Sequence, residues 1–295
     1  MLLVHVRVVL PLALVVSPPA GIVVLGDNNV VGLLAAKQAA RLGYSASFIA
    51  RDSDRDREIA RKWMYGEQYA AQGVDTDGRA KLITTSSEIG AALSTSEAII
   101  MCADKGGANR CEAAIDNAPA LRRVVLLSAV GGTKDVKSFF GGGENAIKTG
   151  EEALLKTVAA RGIDVSVVRV GVLKGGGVAG GFMEDYNGPL DVGLDATYYN
   201  SLFELEEALC TQAYDKFTLG ASLSPGDTVD ARNMFMRMVT RGSFDPVADE
   251  ASRINAASAL LACLRHPTAI SITVSSAAAR APPSEAEWDS MLAAL

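Results

Sequence analysis

Residues 21–52, GIVVLGDNNVVGLLAAKQAARLGYSASFIARD, run from a strand through a tight turn and a helix to a second strand. Ile22–Leu25 are apolar and partly β-branched, the composition of a strand buried on both faces of a parallel sheet. Gly26 ends that strand, Val30–Leu42 follow at helical spacing, and Gly43 stands just past the helix end. Ser45–Ala50 form the second strand, which ends in Arg51. A strand, a glycine turn and a helix start together aim backbone N–H groups and the positive helix end at one point, a geometry that suits a pyrophosphate. Arg51 falls about twenty residues beyond the turn, where dinucleotide folds place an acid for a ribose 2′-hydroxyl or a base for a 2′-phosphate. A guanidinium there favours NADP(H) over NAD(H). The plainer reading of Arg51 is a solvated charge at a strand end.

The turn departs from a full glycine pattern. It reads Gly26-Asp27-Asn28-Asn29-Val30-Val31-Gly32, with Asn29 at the middle glycine position. Asparagine tolerates positive φ better than other non-glycine residues, so the turn can form, although its side chain brings bulk close to the phosphate position.

The rest of the chain repeats the alternation. Leu82–Thr84, Ala98–Cys102, Arg122–Ser128 and Asp164–Val170 read as strands. Asp54–Ala70, a serine-capped Ser86–Leu93, a segment carrying Cys111, and about Glu144 to Ala160 read as helices. This order predicts an α/β fold, a Rossmann-like doubly wound parallel sheet whose ligands sit at the carboxyl ends of the strands. After Leu173 the texture changes to glycine-rich 175–181, then Tyr186, Tyr198 and Tyr199, and helix-like stretches at Thr197–Ala213, Asn233–Thr240, Glu250–Leu264 and Ser284–Leu295. Ser284 and Glu287 have capping-box spacing, and Ile270–Val274 reads as a short strand. The chain divides into an apolar leader or targeting remnant at 1–20, a dinucleotide-binding core at 21–174, and a small, mostly helical C-terminal cap at 175–295 that completes the same fold.

Composition narrows the function classes. The chain has 295 residues, about half of them apolar, and a net charge of −6 with no basic block, which argues against a nucleic-acid surface. The four cysteines (Cys102, Cys111, Cys210, Cys263) lack CxxC spacing and the only histidines are His5 and His266, so a zinc site or a histidine triad is not expected. Buried free thiols are the plain reading, with a Cys102–Cys111 redox pair as the alternative. Val8–Val16 is too short to span a bilayer and carries Pro11; it reads as a signal-peptide core cut after Ala20 or as the remnant of a targeting sequence.

Several of these segments, in this order, resemble the atypical short-chain dehydrogenase/reductase family, in particular its NmrA-like, NAD(P)-binding branch. The turn Gly26–Gly32 stands where the family has its glycine motif, and Ala50-Arg51-Asp52 is similar to its NADP-selecting strand end. Val124–Ser128 matches the strand that ends in its active-site serine, Lys148–Leu155 the helix with its lysine and a following glutamate, and Ile163–Leu173 the next strand, with Val170 where proline is usual. Arg253–Leu264 and Pro282–Trp288 also fit, and plastid members of the branch are closest in texture, which points to the plastid stroma, with the cytoplasm as the alternative.

The resemblance implies bound NADP(H), contacted by Gly26, Asn28, Asn29, Val30, Gly32, Arg51, Ala103 and Lys148, with Ser128 and Lys148 as the catalytic candidates. The family's proton-donating tyrosine belongs four residues before the lysine, and Glu144 stands there. An ionised glutamate accepts hydrogen bonds and cannot protonate a carbonyl. Glu144 and Lys148 also have the spacing of an ordinary helical ion pair, worth a few tenths of a kcal/mol. The expected function is therefore NADP(H) binding without standard reductase chemistry, in a redox-responsive scaffold, assembly factor or complex partner. The alternative is an NADPH-dependent oxidoreductase of a small carbonyl or enone substrate with a substituted acid, for which Tyr186, Tyr198 and Tyr199 are the available phenols.

Overall fold

A computed structural model describes residues 21–26, 31–49, 60, 80–102, 108–130, 133, 146–174, 220–227, 250–279 and 281–295. Strands β1 (Gly21–Gly26), β2 (Ser45–Ile49), β3 (Lys81–Ile83), β4 (Ala98–Cys102), β5 (Arg123–Ala129) and β6 (Asp164–Val170) lie side by side in the order β3-β2-β1-β4-β5-β6. All these neighbours are parallel. Reversal of the order between β1 and β4 makes the topological switch point at which open α/β sheets bind ligands. β10 (Ser271–Ala277) extends the sheet in parallel beside β6, and β8 (Gly220–Pro225) closes its edge antiparallel to β10. β7 (Val172–Lys174) and β9 (Glu250–Ser252) form a separate two-stranded pair.

Strand side chains alternate between two apolar layers. On one face Ile22, Val24, Val125, Leu127, Val168 and Ile272 pack with α1 (Val31–Arg41) and with two helices of the C-terminal part, α5 (Arg253–Arg265) and α6 (Glu285–Ala293). On the other face Val23, Leu25, Ile99, Met101, Val124, Leu126 and Val167 meet α2 (Ser86–Thr95), α3 (Ala108–Asp116) and α4 (Ala146–Ala160). Apolar residues on both faces explain why these strands read as continuous hydrophobic runs.

The helix ends follow from local chemistry. Gly43 takes φ +86°, a left-handed conformation that glycine adopts without strain, and Tyr44 N–H reaches Ala39 O at 3.0 Å to close α1. The α2 cap is Thr85, one residue before the expected serine, with Glu88 returning its carboxylate to the Thr85 N–H at 3.3 Å. The expected box at α6 is present: Ser284 N–H donates to Glu287 at 2.7 Å. The helix expected over Glu250–Leu264 is shorter at its start, because Glu250–Ser252 pair with β7 and Ser252 caps α5 by accepting from the Ile254 N–H. The helices expected over Asp54–Ala70, Thr197–Ala213 and Asn233–Thr240 lie outside the described residues, Ala60 excepted. Among the described residues no helix is long and apolar enough to cross a membrane.

α5 is buried on almost every side, so its last carbonyls need partners inside the protein. Arg123, the buried first residue of β5, supplies one by donating to Leu264 O at 3.0 Å, and it also donates to His266 O and, at 3.2 Å, to Pro267 O just past the helix. Its positive charge also suits the negative end of the helix. Arg123→Met is expected to lower stability by about 1–3 kcal/mol in urea unfolding, because Leu264 O then stays buried without a donor. An unchanged midpoint would show that water replaces the guanidinium at no cost.

Candidate functional site

Gly26 and Gly32, the two ends of the glycine motif, lie where the strand order reverses. A side chain built at Gly32, the second residue of α1, would meet Gly26 Cα at 3.1 Å and Cys102 Cβ at 3.3 Å. The start of α1 is therefore pressed against the ends of both β1 and β4, at the switch point, and glycine at position 32 permits that approach. Gly26 is required for a different reason: a Cβ there would stand 2.1 Å from Cε2 of Phe48, whose buried ring fills the space beside the strand end. Helix start, strand ends and close backbone approach fit a dinucleotide pyrophosphate. Asn28, Asn29, Val30, Arg51 and Ala103, the other expected dinucleotide contacts, lie outside the described residues.

Ser128 is half-buried near the carboxyl end of β5, in register with Arg169 of β6. Its hydroxyl donates to Oε2 of Glu151 at 2.6 Å. The other oxygen of Glu151 is paired with Nη2 of Arg169, and both side chains are only 4% exposed. Arg169 also donates through Nη1 to the Ser271 hydroxyl, and its Nε lies 3.8 Å from Asp227, too far for a hydrogen bond. Asp227 in turn accepts from Thr133, at 3.1 Å from the backbone N–H and 2.7 Å from the hydroxyl. One buried polar cluster thus ties β5, α4, β6, β10 and the segment after β8 together. Lys148 stands on α4 one turn before Glu151, and its side chain lies outside the described residues, as does Glu144.

Ser128 is legible in the sequence as the end of an apolar run, but its partner is not. Arg169 was the available signal, a charge inside the apolar strand DVSVVRV that cannot be buried alone. Glu151 shares a helix stripe with buried Leu154 and Val158, which points it at that strand. Asp227 and Thr133 carry no comparable signal.

Cysteine chemistry is not prominent among the described residues. Cys102, Cys111 and Cys263 are buried, and burial pushes the Cys263 thiol up to about 12. No group of three or more potential metal ligands occurs among the described residues.

No family model matches the sequence, and no curated protein matches it. Solved structures do resemble it. A "Putative NAD-dependent epimerase/dehydratase" from Bacillus halodurans superposes with a TM-score of 0.52 at 10% identity, over 93% of this chain and 100% of that one. The terminal R domain from the myxalamid PKS-NRPS biosynthetic pathway gives 0.49 at 13% identity, over 90% of this chain and 68% of its own. Vestitone reductase from alfalfa (Medicago sativa L.) gives 0.45 at 15% identity, over 85% of this chain and 75% of its own. At these identities the likeness is one of fold, and the first comparison supports the Rossmann-like architecture that the strand order displays.

Two stability measurements test the site. Glu151→Ala strands a buried guanidinium and is expected to cost roughly 3–5 kcal/mol, while Glu151→Leu combined with Arg169→Met costs far less. Equal losses in the single and double variants would mean that the pair is not the source of the effect. Gly26→Ala is expected to destabilise by about 1–3 kcal/mol through overpacking, and Phe48→Leu in the same chain should recover part of that loss. Strict additivity of the two changes would contradict the contact.

Proposed function

We propose that the protein binds NADP(H) across the switch point and does not carry out standard carbonyl reduction, serving instead as a redox-responsive scaffold, assembly factor or complex partner. The observation that carries this reading is the Ser128–Glu151 hydrogen bond at 2.6 Å, supported by the close approach of Gly32 to the ends of β1 and β4. Gly26 and Gly32 bring the start of α1 to the ends of β1 and β4, so the pyrophosphate belongs over that turn, with Asn28, Asn29 and Val30 beside it. Arg51 takes the 2′-phosphate, which selects NADP(H). Ala103 follows the end of β4, and Lys148 reaches the nicotinamide ribose. When bound, the dinucleotide supplies or accepts a hydride.

Among the described residues, none is placed to complete the proton chemistry of a reduction. Reduction of a carbonyl needs a donor at its oxygen as charge develops there. Ser128 has one proton, and it is directed at a carboxylate inside the protein. Glu144, in the position of the proton-donating phenol, is acceptor-only when ionised. The NmrA-like branch and a plastid stromal setting rest on the sequence resemblance around Arg51, Ser128 and Lys148.

Calorimetric titration with NADPH and NADH tests the binding, and a panel of ketones, aldehydes and enones tests the chemistry. The wild type is expected to prefer NADPH, Arg51→Ala to lose that preference, and NADPH oxidation with the panel to stay at background. General acid catalysis is worth about 10²–10⁴-fold, so its absence is readily seen. Equal binding of both cofactors would remove Arg51 from the site. Fast oxidation with any carbonyl of the panel would establish a reductase with a substituted acid.

A further inference from the structure

We propose that Asp227 is a two-position carboxylate: it clasps Thr133 in this structure and passes to Nε of Arg169 when dinucleotide binding draws Thr133 away. The inference deepens the reading of this sheet edge as a dinucleotide cleft, and rests on it for what releases the clasp.

One oxygen carries the arrangement. Oδ2 of Asp227 accepts from the Thr133 hydroxyl at 2.7 Å and from its backbone N–H at 3.1 Å. The same oxygen lies 3.8 Å from Nε of Arg169, a buried donor with no hydrogen-bond partner among the described residues. Native proteins leave few such donors unmet, because an unmet one forfeits the worth of a hydrogen bond. Closing the gap to an ordinary charge-assisted bond takes a movement of about 1 Å.

The surroundings decide which partner can make that movement. Arg169 cannot, because its Nη2 is held by Glu151 and its Nη1 by the Ser271 hydroxyl. The backbone leading into Asp227 cannot either. Gly226 takes φ +70°, a left-handed conformation open to glycine, and there donates its N–H to Ser271 O at 2.7 Å. Its carbonyl accepts from the Thr273 hydroxyl, also at 2.7 Å, so both polar groups of Gly226 are fixed to β10. What remains is rotation of the short Asp227 side chain on this anchored turn. Thr133, which is exposed, restrains that rotation.

The exchange conserves hydrogen bonds. A dinucleotide is rich in acceptor oxygens and takes the two Thr133 donors in place of Asp227. The released carboxylate then meets Arg169 Nε, so the donor unmet in the clasped state is satisfied in the released one. Each state therefore has something the other lacks, as a ligand-driven shift between them requires. Because Thr133 follows β5 and Asp227 follows β8, the transfer carries occupancy of the cleft to the C-terminal part of the fold.

NMR of the Arg169 Nε–H group reads the transfer, since its proton resonance moves downfield on gaining a charged acceptor. In Thr133→Val, with no ligand present, the clasp loses its shorter bond and the resonance is expected to move downfield from its wild-type position. NADPH added to the wild type should move it the same way, with binding recorded by calorimetry. Asp227→Ala, its folding checked by thermal unfolding, should abolish the displacement both with NADPH and in combination with Thr133→Val. If that variant does not fold, Asp227→Asn replaces it and should reduce both displacements. A resonance that stays in place in Thr133→Val, one that still moves in full after loss of the Asp227 carboxylate, or NADPH binding that leaves it unmoved would overturn the proposal. Movement in Thr133→Val without any NADPH binding would uphold the two positions of Asp227 and reject the dinucleotide reading.

Discussion

A guanidinium held almost wholly out of water must find its charge balance within the fold, and Arg169 finds it in Glu151. That requirement fixes much else. It sets the rotation of α4 over β5 and β6, because only one helix stripe can present Glu151 to the strand while burying Leu154 and Val158. It directs the Ser128 proton inward. Through Ser271 and Asp227 it also ties the parallel core to strands that the C-terminal part contributes. Replacing such a pair with well-packed apolar residues is often neutral for stability, whereas removing one partner is not. The cluster is therefore better understood as a device for specifying one arrangement of these elements than as a source of net stability.

The two halves of the candidate site are built by different physics. At the glycine turn the constraint is steric: Phe48 excludes any side chain from Gly26, and Gly26 with Cys102 leaves no room at Gly32. Helix start and strand ends converge there, a backbone arrangement that serves any anion. At Ser128 the constraint is the direction of one hydrogen bond, set by charges beneath it. A chain can keep the first half intact while the second abandons carbonyl chemistry, which is the combination proposed for this protein.

Most of the parallel core was legible in the sequence. Ile22–Leu25, Ala98–Cys102 and Asp164–Val170 are apolar runs closed by glycine, charge or loop residues, and each is a strand at nearly those bounds. β7, β8 and β9 were not foreseen. β7 and β9 are too short to show a period, and β8, GASLSP, is an edge strand whose serines and proline read as a loop. Gly26, Gly32 and Ser128 could be placed because each follows a recognisable run. The partnership of Ser128 with Glu151 could not, since it depends on the β5–β6 register and on the rotation of α4, both tertiary facts. Asp227 reaches Thr133 across a long stretch of chain with no local trace of that pairing.

The central claim is that dinucleotide binding and a Ser128 proton turned away from the ligand coexist in one site. A crystal structure of the protein with NADPH tests both at once. The account predicts the pyrophosphate over the Gly26–Gly32 turn between β1 and β4, with Ser128 Oγ still within hydrogen-bond distance of Glu151. A dinucleotide bound elsewhere, or Ser128 released from Glu151 and donating toward the nicotinamide, would contradict it.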